Sequence, residues 1–158
     1  MNYNDYFRSI DKLSTVIQLP NWTCNDSSIT SIDFSLFTSL QSLEIGNDCY
    51  CSVETFRLDG FKQLKSLKIG TNSFTKLKQY IKQSLHYKEV RMTCAESKSF
   101  HILNCESLES IQIGEFSFSD FAGEFEIRNC PQLQFIQIGT VGSESCNFHY
   151  CSFTIRGK

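Results

Sequence analysis

The segment LQSLEIG, beginning at Leu40, returns as LKSLKIG at Leu64, LESIQIG at Leu108 and LQFIQIG at Leu133, with a weaker form, YKEVRMT, at Tyr87. Measured at the closing residue of each copy (Gly46, Gly70, Thr93, Gly114 and Gly139), the steps are 24, 23, 21 and 25 residues. A fixed period of about 20–50 residues marks a solenoid, propeller or repeat array, so few folds remain open to this chain. On this spacing the long gap between Gly70 and Gly114 holds one degenerate repeat. A second piece precedes each Leu by eight residues: FRLDGF from Phe56, FHILNC from Phe100, FEIRNC from Phe125 and IDFSLF from Ile32, with FTIRGK opening another at Phe153.

Apolar residues alternate in both pieces, as in Leu43/Ile45, Leu67/Ile69, Ile111/Ile113, Ile136/Ile138, Phe56/Leu58 and Phe125/Ile127. Alternation is the period of a strand with one buried face. Composition agrees: 14 Phe and 6 Tyr stand against only two Ala, Ala95 and Ala122, so strand formers outweigh helix formers. Strands recurring at this interval stack most simply in parallel, each repeat burying its apolar edge against the next.

LKSLKIGTNSF, from Leu64 to Phe74, resembles the leucine-rich repeat segment LxxLxLxxNxL, and LQSLEIGNDCY resembles it with Asp48 in the Asn position. The SF or SFS after the Gly and the NC pair before the next Leu are similar to divergent BspA-like repeats of protist and bacterial proteins. Phe116 and Val141 depart from the family's Asn. The resemblance implies a mostly β, right-handed leucine-rich-repeat-type solenoid of about five parallel-stacked repeats. Its sheet surface would be the one that contacts a ligand.

The expected organisation is a single domain with a helical cap and linker at 1–28 and repeats at about 29–50, 51–74, 75–97, 98–118 and 119–143, then a partial copy at 144–158. In the cap, Tyr6, Phe7, Ile10, Leu13 and Ile17 fall on one helical face, Pro20 stops the helix, and Trp22 is placed beneath it. Within the third repeat, Leu77, Tyr80, Ile81 and Leu85 at helical spacing predict one helical turn or more. Lys76, Lys78, Lys82 and Lys88 would then lie on its solvated side.

Fifteen Lys and Arg against 17 Asp and Glu leave a net charge of -2, too little field to collect nucleic acid, and no apolar run of about 20 residues offers a membrane span. MNYNDYFRSIDK lacks the apolar stretch of a signal peptide, so a cytoplasmic, reducing compartment with eight free thiols is expected. Asn21 and Asn25 match the glycosylation tripeptide at a frequency chance explains. Cys105 and Cys130 share one repeat position, where a small buried filler is the favoured role over a disulfide. Cys49 and Cys51, and Cys146, His149 and Cys151, lack the paired spacing of a zinc knuckle. No metal or cofactor is expected. No nucleophile elbow, phosphate loop or zinc-protease motif is present, so no catalytic residue is expected.

The residues between the two apolar positions of each LxxLxI strand point away from the core, which lines up Glu44, Lys68, Arg91, Gln112 and Gln137. Ser42, Ser66, Glu89, Ser110 and Phe135 lie two positions earlier. Phe135 is the candidate aromatic anchor for a protein partner. Three readings stay open: a non-catalytic protein-interaction scaffold, a structural or self-associating fragment of a longer repeat array with an uncovered edge at Phe153–Lys158, and a carbohydrate-acting parallel β-helix enzyme. The outward row of the second piece, Asp33, Arg57, Tyr80, His101, Glu126 and Thr154, counts against the enzyme because only one acid falls in each neighbourhood.

Overall fold

The computed structural model describes residues 9–79, 89 and 92–157. Nine strands follow in chain order: β1 (Val16–Leu19), β2 (Ser42–Ile45), β3 (Thr55–Asp59), β4 (Ser66–Ile69), β5 (Ser99–Leu103), β6 (Ser110–Ile113), β7 (Glu124–Arg128), β8 (Phe135–Ile138) and β9 (Ser152–Arg156). They form two wholly parallel sheets, β1-β2-β4-β6-β8 and β3-β5-β7-β9. The chain is thus a mostly β solenoid of about five turns. Each LxxLxI piece supplies the first sheet, and each Phe-led piece supplies the second.

Identical parity in every copy puts like residues on top of one another. Leu43 registers with Leu67, Leu67 with Ile111 and Ile111 with Ile136, while Phe56, Phe100, Phe125 and Phe153 align in the second sheet. The Phe rings stack at 5.2, 4.9 and 4.7 Å between centroids. A second aromatic column, Tyr50, Phe74, Phe118 and Phe148, rises from the corner after each first-sheet strand at 5.2, 4.8 and 4.8 Å. The two columns meet edge to face, as at Phe100 and Phe118, 5.1 Å apart.

The corner that aims this second column is strained in the same way each time. Trp22 and Cys24, Asp48 and Tyr50, Asn72 and Phe74, Phe116 and Phe118, and Cys146 and Phe148 all have left-handed backbones, with φ between 50 and 65°. Each such residue costs about 1–2 kcal/mol. Burying an aromatic ring contributes about 1.5–3 kcal/mol and stacking it about 0.5–1.5 more, so the column outweighs the strain of its own ring-bearing residue. The preceding Gly is needed because the coils touch there: a Cβ on Gly114 would lie 2.6 Å from the Gly70 carbonyl carbon.

Side chains at two further corner positions tie coil to coil. The Asn47 amide donates to Asn21 Oδ1 and the Thr71 amide to Asn47 Oδ1, both at 2.8 Å. Ser73 Oγ accepts from the Cys49 amide at 3.1 Å and donates to the Gly46 carbonyl at 2.8 Å, and Ser117 repeats this one coil on. Backbone satisfaction therefore falls beside the positions where the leucine-rich resemblance puts its Asn. Asp48, Asn72 and Phe116 occupy those positions as left-handed residues.

Two expectations about organisation are corrected. The helical cap is not supported: Lys12 and Leu13 form a turn, and Val16–Leu19 is β1, paired in parallel with β2. The β-branched Val16 and Ile17 favour a strand and continue the alternation, and Ile17 and Leu19 are buried in register with Leu43 and Ile45. The first rung accordingly stands ahead of residue 29. Leu13 and Trp22, expected inside, are exposed, while residues 1–8, including Tyr6 and Phe7, lie outside the described residues.

The third repeat at 75–97 adds no rung. β4 pairs directly with β6, and β3 with β5, each across 44 residues. This segment is an insertion fastened at both ends. Lys78 Nζ pairs with Asp48 Oδ1 at 2.8 Å and Lys98 Nζ with Asp120 Oδ2 at 2.7 Å, both pairs largely buried. Lys76 donates its amide to Asp120 Oδ2 at 3.1 Å, and Ala95 bridges to Phe121. Lys78 is thus a buried anchor above the Trp22 ring and not part of a solvated face. Gln79 is helical; Tyr80, Ile81, Lys82, Leu85 and Lys88 fall outside the described residues.

Candidate functional site

Strand parity leaves two outward faces, one per sheet. On the first, the in-register row runs Gln18, Glu44, Lys68, Gln112, Gln137. Four of the five expected residues are therefore neighbours. Arg91 lies outside the described residues, and because β4 contacts β6 directly, Lys68 stands next to Gln112 with no rung between them. Gln18 takes the place at the other end, which could be read from VIQL once Pro20-Asn21 is aligned with Gly46-Asn47. The parallel row is Val16, Ser42, Ser66, Ser110 and Phe135.

This face is polar and loosely tied. Lys68 Nζ reaches Glu44 Oε1 at 3.2 Å, Gln18 Nε2 donates to Glu44 Oε2 at 3.2 Å, and Ser66 Oγ donates to Ser42 Oγ at 3.0 Å. With both charged side chains well exposed, the ion pair is worth at most about 1 kcal/mol and is screened by salt. The row ends in Phe135, 46% exposed. Beside it opens a cleft of about 510 Å³ lined by Cys130, Leu133, Phe135, Ile136, Ile155 and Arg156.

That cleft marks the last coil. Ile136, Phe153 and Ile155 occupy inward positions, yet they are 37%, 56% and 60% exposed because among the described residues no further rung covers β8 or β9. Cys130 and Cys105 stand in the corner beneath, on adjacent coils. A hydrogen bond from Cys105 brings the Cys130 thiol down to about 7, and the same contact together with burial pushes Cys105 up. All eight cysteines are free thiols. Burial, with Cys94 nearby, pushes Cys151 up to about 12.

On the second sheet, Arg57, His101, Glu126 and Thr154 form one in-register row. The expectation of a single acid per neighbourhood is corrected here. Glu124 lies two residues before Glu126 on the same face of β7, and ligand atoms of His101, Glu124 and Glu126 all fall within 4.8 Å of one another. His101 Nδ1 is 3.3 Å from Glu126 Oε2, and Arg128 Nε is 3.4 Å from Glu126 Oε1. Among the described residues this is the one place where three or more metal-ligating side chains converge; Cys146, His149 and Cys151 do not.

Among the described residues no helix is long and apolar enough to cross a membrane. Compared with protein-family models, curated proteins and solved structures, the chain matches none of them.

Proposed function

We propose that the chain is a non-catalytic protein-interaction scaffold of leucine-rich-repeat type, working in a reducing, cytoplasmic compartment, whose first sheet holds a protein partner. Glu44, Lys68, Gln112 and Gln137 supply polar specificity, and Phe135 is the apolar anchor. The observation that carries this reading is the end of that row. A half-exposed Phe beside an apolar cleft, bordered by a weakly paired polar stripe, has the make-up of an interface core with a polar rim.

The test is site-specific photo-crosslinking. A photoreactive phenylalanine analogue at position 135 or 112 should join the chain to one and the same partner in cells that make it, and Lys68→Glu should reduce the yield. Yields no greater than from position 57 on the second sheet would sink the proposal.

The exposure of Ile136, Phe153 and Ile155 favours a second reading, in which another copy of the chain covers β8 and β9. Two strand edges with unpaired amides and carbonyls next to apolar side chains are a template for pairing. Light scattering coupled to size exclusion should then report a dimer or larger species at micromolar concentration, and a monomer for Ile155→Lys. A monomeric wild-type chain rules this reading out.

A further inference from the structure

The convergence on the second sheet is unrelated to either reading above. Side chains at alternate strand positions face the same way, and adjacent strands lie about 4.8 Å apart. His101 on β5 and Glu124 and Glu126 on β7 therefore meet on one patch. The next strand adds hydroxyls to it, because Ser152 registers with Glu124 and Thr154 with Glu126.

We propose that His101, Glu124 and Glu126 form a binding site for a divalent cation of mixed nitrogen and oxygen preference, such as Mn²⁺ or Zn²⁺, on the outer face of the second sheet. Ligand bonds of about 2.0–2.2 Å put donor atoms around one ion about 3–4 Å apart. The observed separations, within 4.8 Å, close to that range by rotation of Glu124, the exposed member. His101 and Glu126 are mostly covered, at 13% and 17% side-chain exposure, and so are held in place before the ion arrives.

Two neighbours prepare the donors. Arg128 engages Glu126 Oε1 at 3.4 Å, fixing the carboxylate plane and leaving Oε2 toward His101, as outer partners do for ligating carboxylates. Arg57, in register with His101, is itself held by Asp59 at 2.6 Å, which draws its charge away from the patch. One imidazole and two carboxylates suit Mn²⁺ or Zn²⁺ better than the all-oxygen preference of Ca²⁺ or Mg²⁺. Three protein ligands would leave positions for water.

Mn²⁺ is the probe, since soft thiolates do not favour it and the eight cysteines then do not compete. Titration of the whole reduced chain, followed by loss of the free Mn²⁺ electron paramagnetic resonance signal, should show one equivalent bound. Glu126→Gln and His101→Ala should each weaken binding about tenfold or more. Glu124→Gln should do the same, and because that side chain is exposed, its effect does not pass through unfolding. Glu106→Gln, in the exposed turn between β5 and β6, should leave binding unchanged. No saturable binding, or binding indifferent to all three substitutions on the second sheet, overturns the proposal.

Discussion

The two ends of the stack carry the same pattern and meet opposite fates. β1 at one end presents Ile17 and Leu19 inward, and they are 2% and 3% exposed. At the other end β8 and β9 present Ile136, Phe153 and Ile155 with the same parity, and these remain exposed. The difference is what lies beyond each terminal rung. Ile10 packs against the core and Phe34 and Phe37, ahead of β3 in the chain, are buried, whereas among the described residues nothing equivalent stands over β8 and β9. Alternation specifies which way a side chain points; burial also needs a neighbour on the far side.

The largest effect that would break this comparison comes from truncating the two terminal isoleucines. Ile17→Ala removes methyl groups from a closed end and should cost about 2–5 kcal/mol. Ile155→Ala, at a side chain already more than half in water, should cost under about 1 kcal/mol. Chemical denaturation of each variant, monitored by circular dichroism, should separate them clearly. Equal losses would mean that the open end is covered in solution, which points back to the dimer.

Much of the stack was legible before any coordinates. The rungs around Leu43/Ile45, Leu67/Ile69, Ile111/Ile113 and Ile136/Ile138 are strands of one parallel sheet, and the Phe-led pieces form a second. Both follow from copies that keep parity and spacing. The insertion was not legible, because 44 residues divide into two steps close to the true repeat and YKEVRMT imitates the apolar skeleton. Its signature lies elsewhere, in Asp48 and Asp120, whose buried partners are Lys78 inside the inserted segment and Lys98 directly after it. β1 is harder to read because VIQL lacks the LxxLxIG frame, although its β-branched residues disfavour a helix there.

The cluster on the second sheet shows why site residues are harder to read than folds. Arg57, His101, Glu126 and Thr154 were placed in one row by the same alternation that defines the strands. Glu124 precedes the apolar Phe that anchors each copy, so a row drawn only between the two apolar positions leaves it out. Counting the outward positions one residue to either side of each aligned Phe adds Ser99, Glu124 and Ser152 to the row, and with them the neighbourhood of two acids and one imidazole.

A smaller effect sharpens the contrast between the ends through their cysteines. Cys24, at the closed end, has its thiol pushed up by burial. Cys130 lines the cleft at the open end, where the hydrogen bond from Cys105 brings it down to about 7. The thiolate is the nucleophile, so alkylation of Cys130 by iodoacetamide should rise as pH passes 7 and then level off. Cys24 should stay unmodified there, since its thiolate forms only above the ordinary thiol range. The sign of the contact is tested by Cys105→Ala: removing the donor destabilises the Cys130 thiolate, so the inflection should move upward toward that of an unperturbed thiol, read by mass spectrometry of the labelled peptides. An inflection that stays near 7 would show that the Cys105 contact is not what lowers the Cys130 thiol.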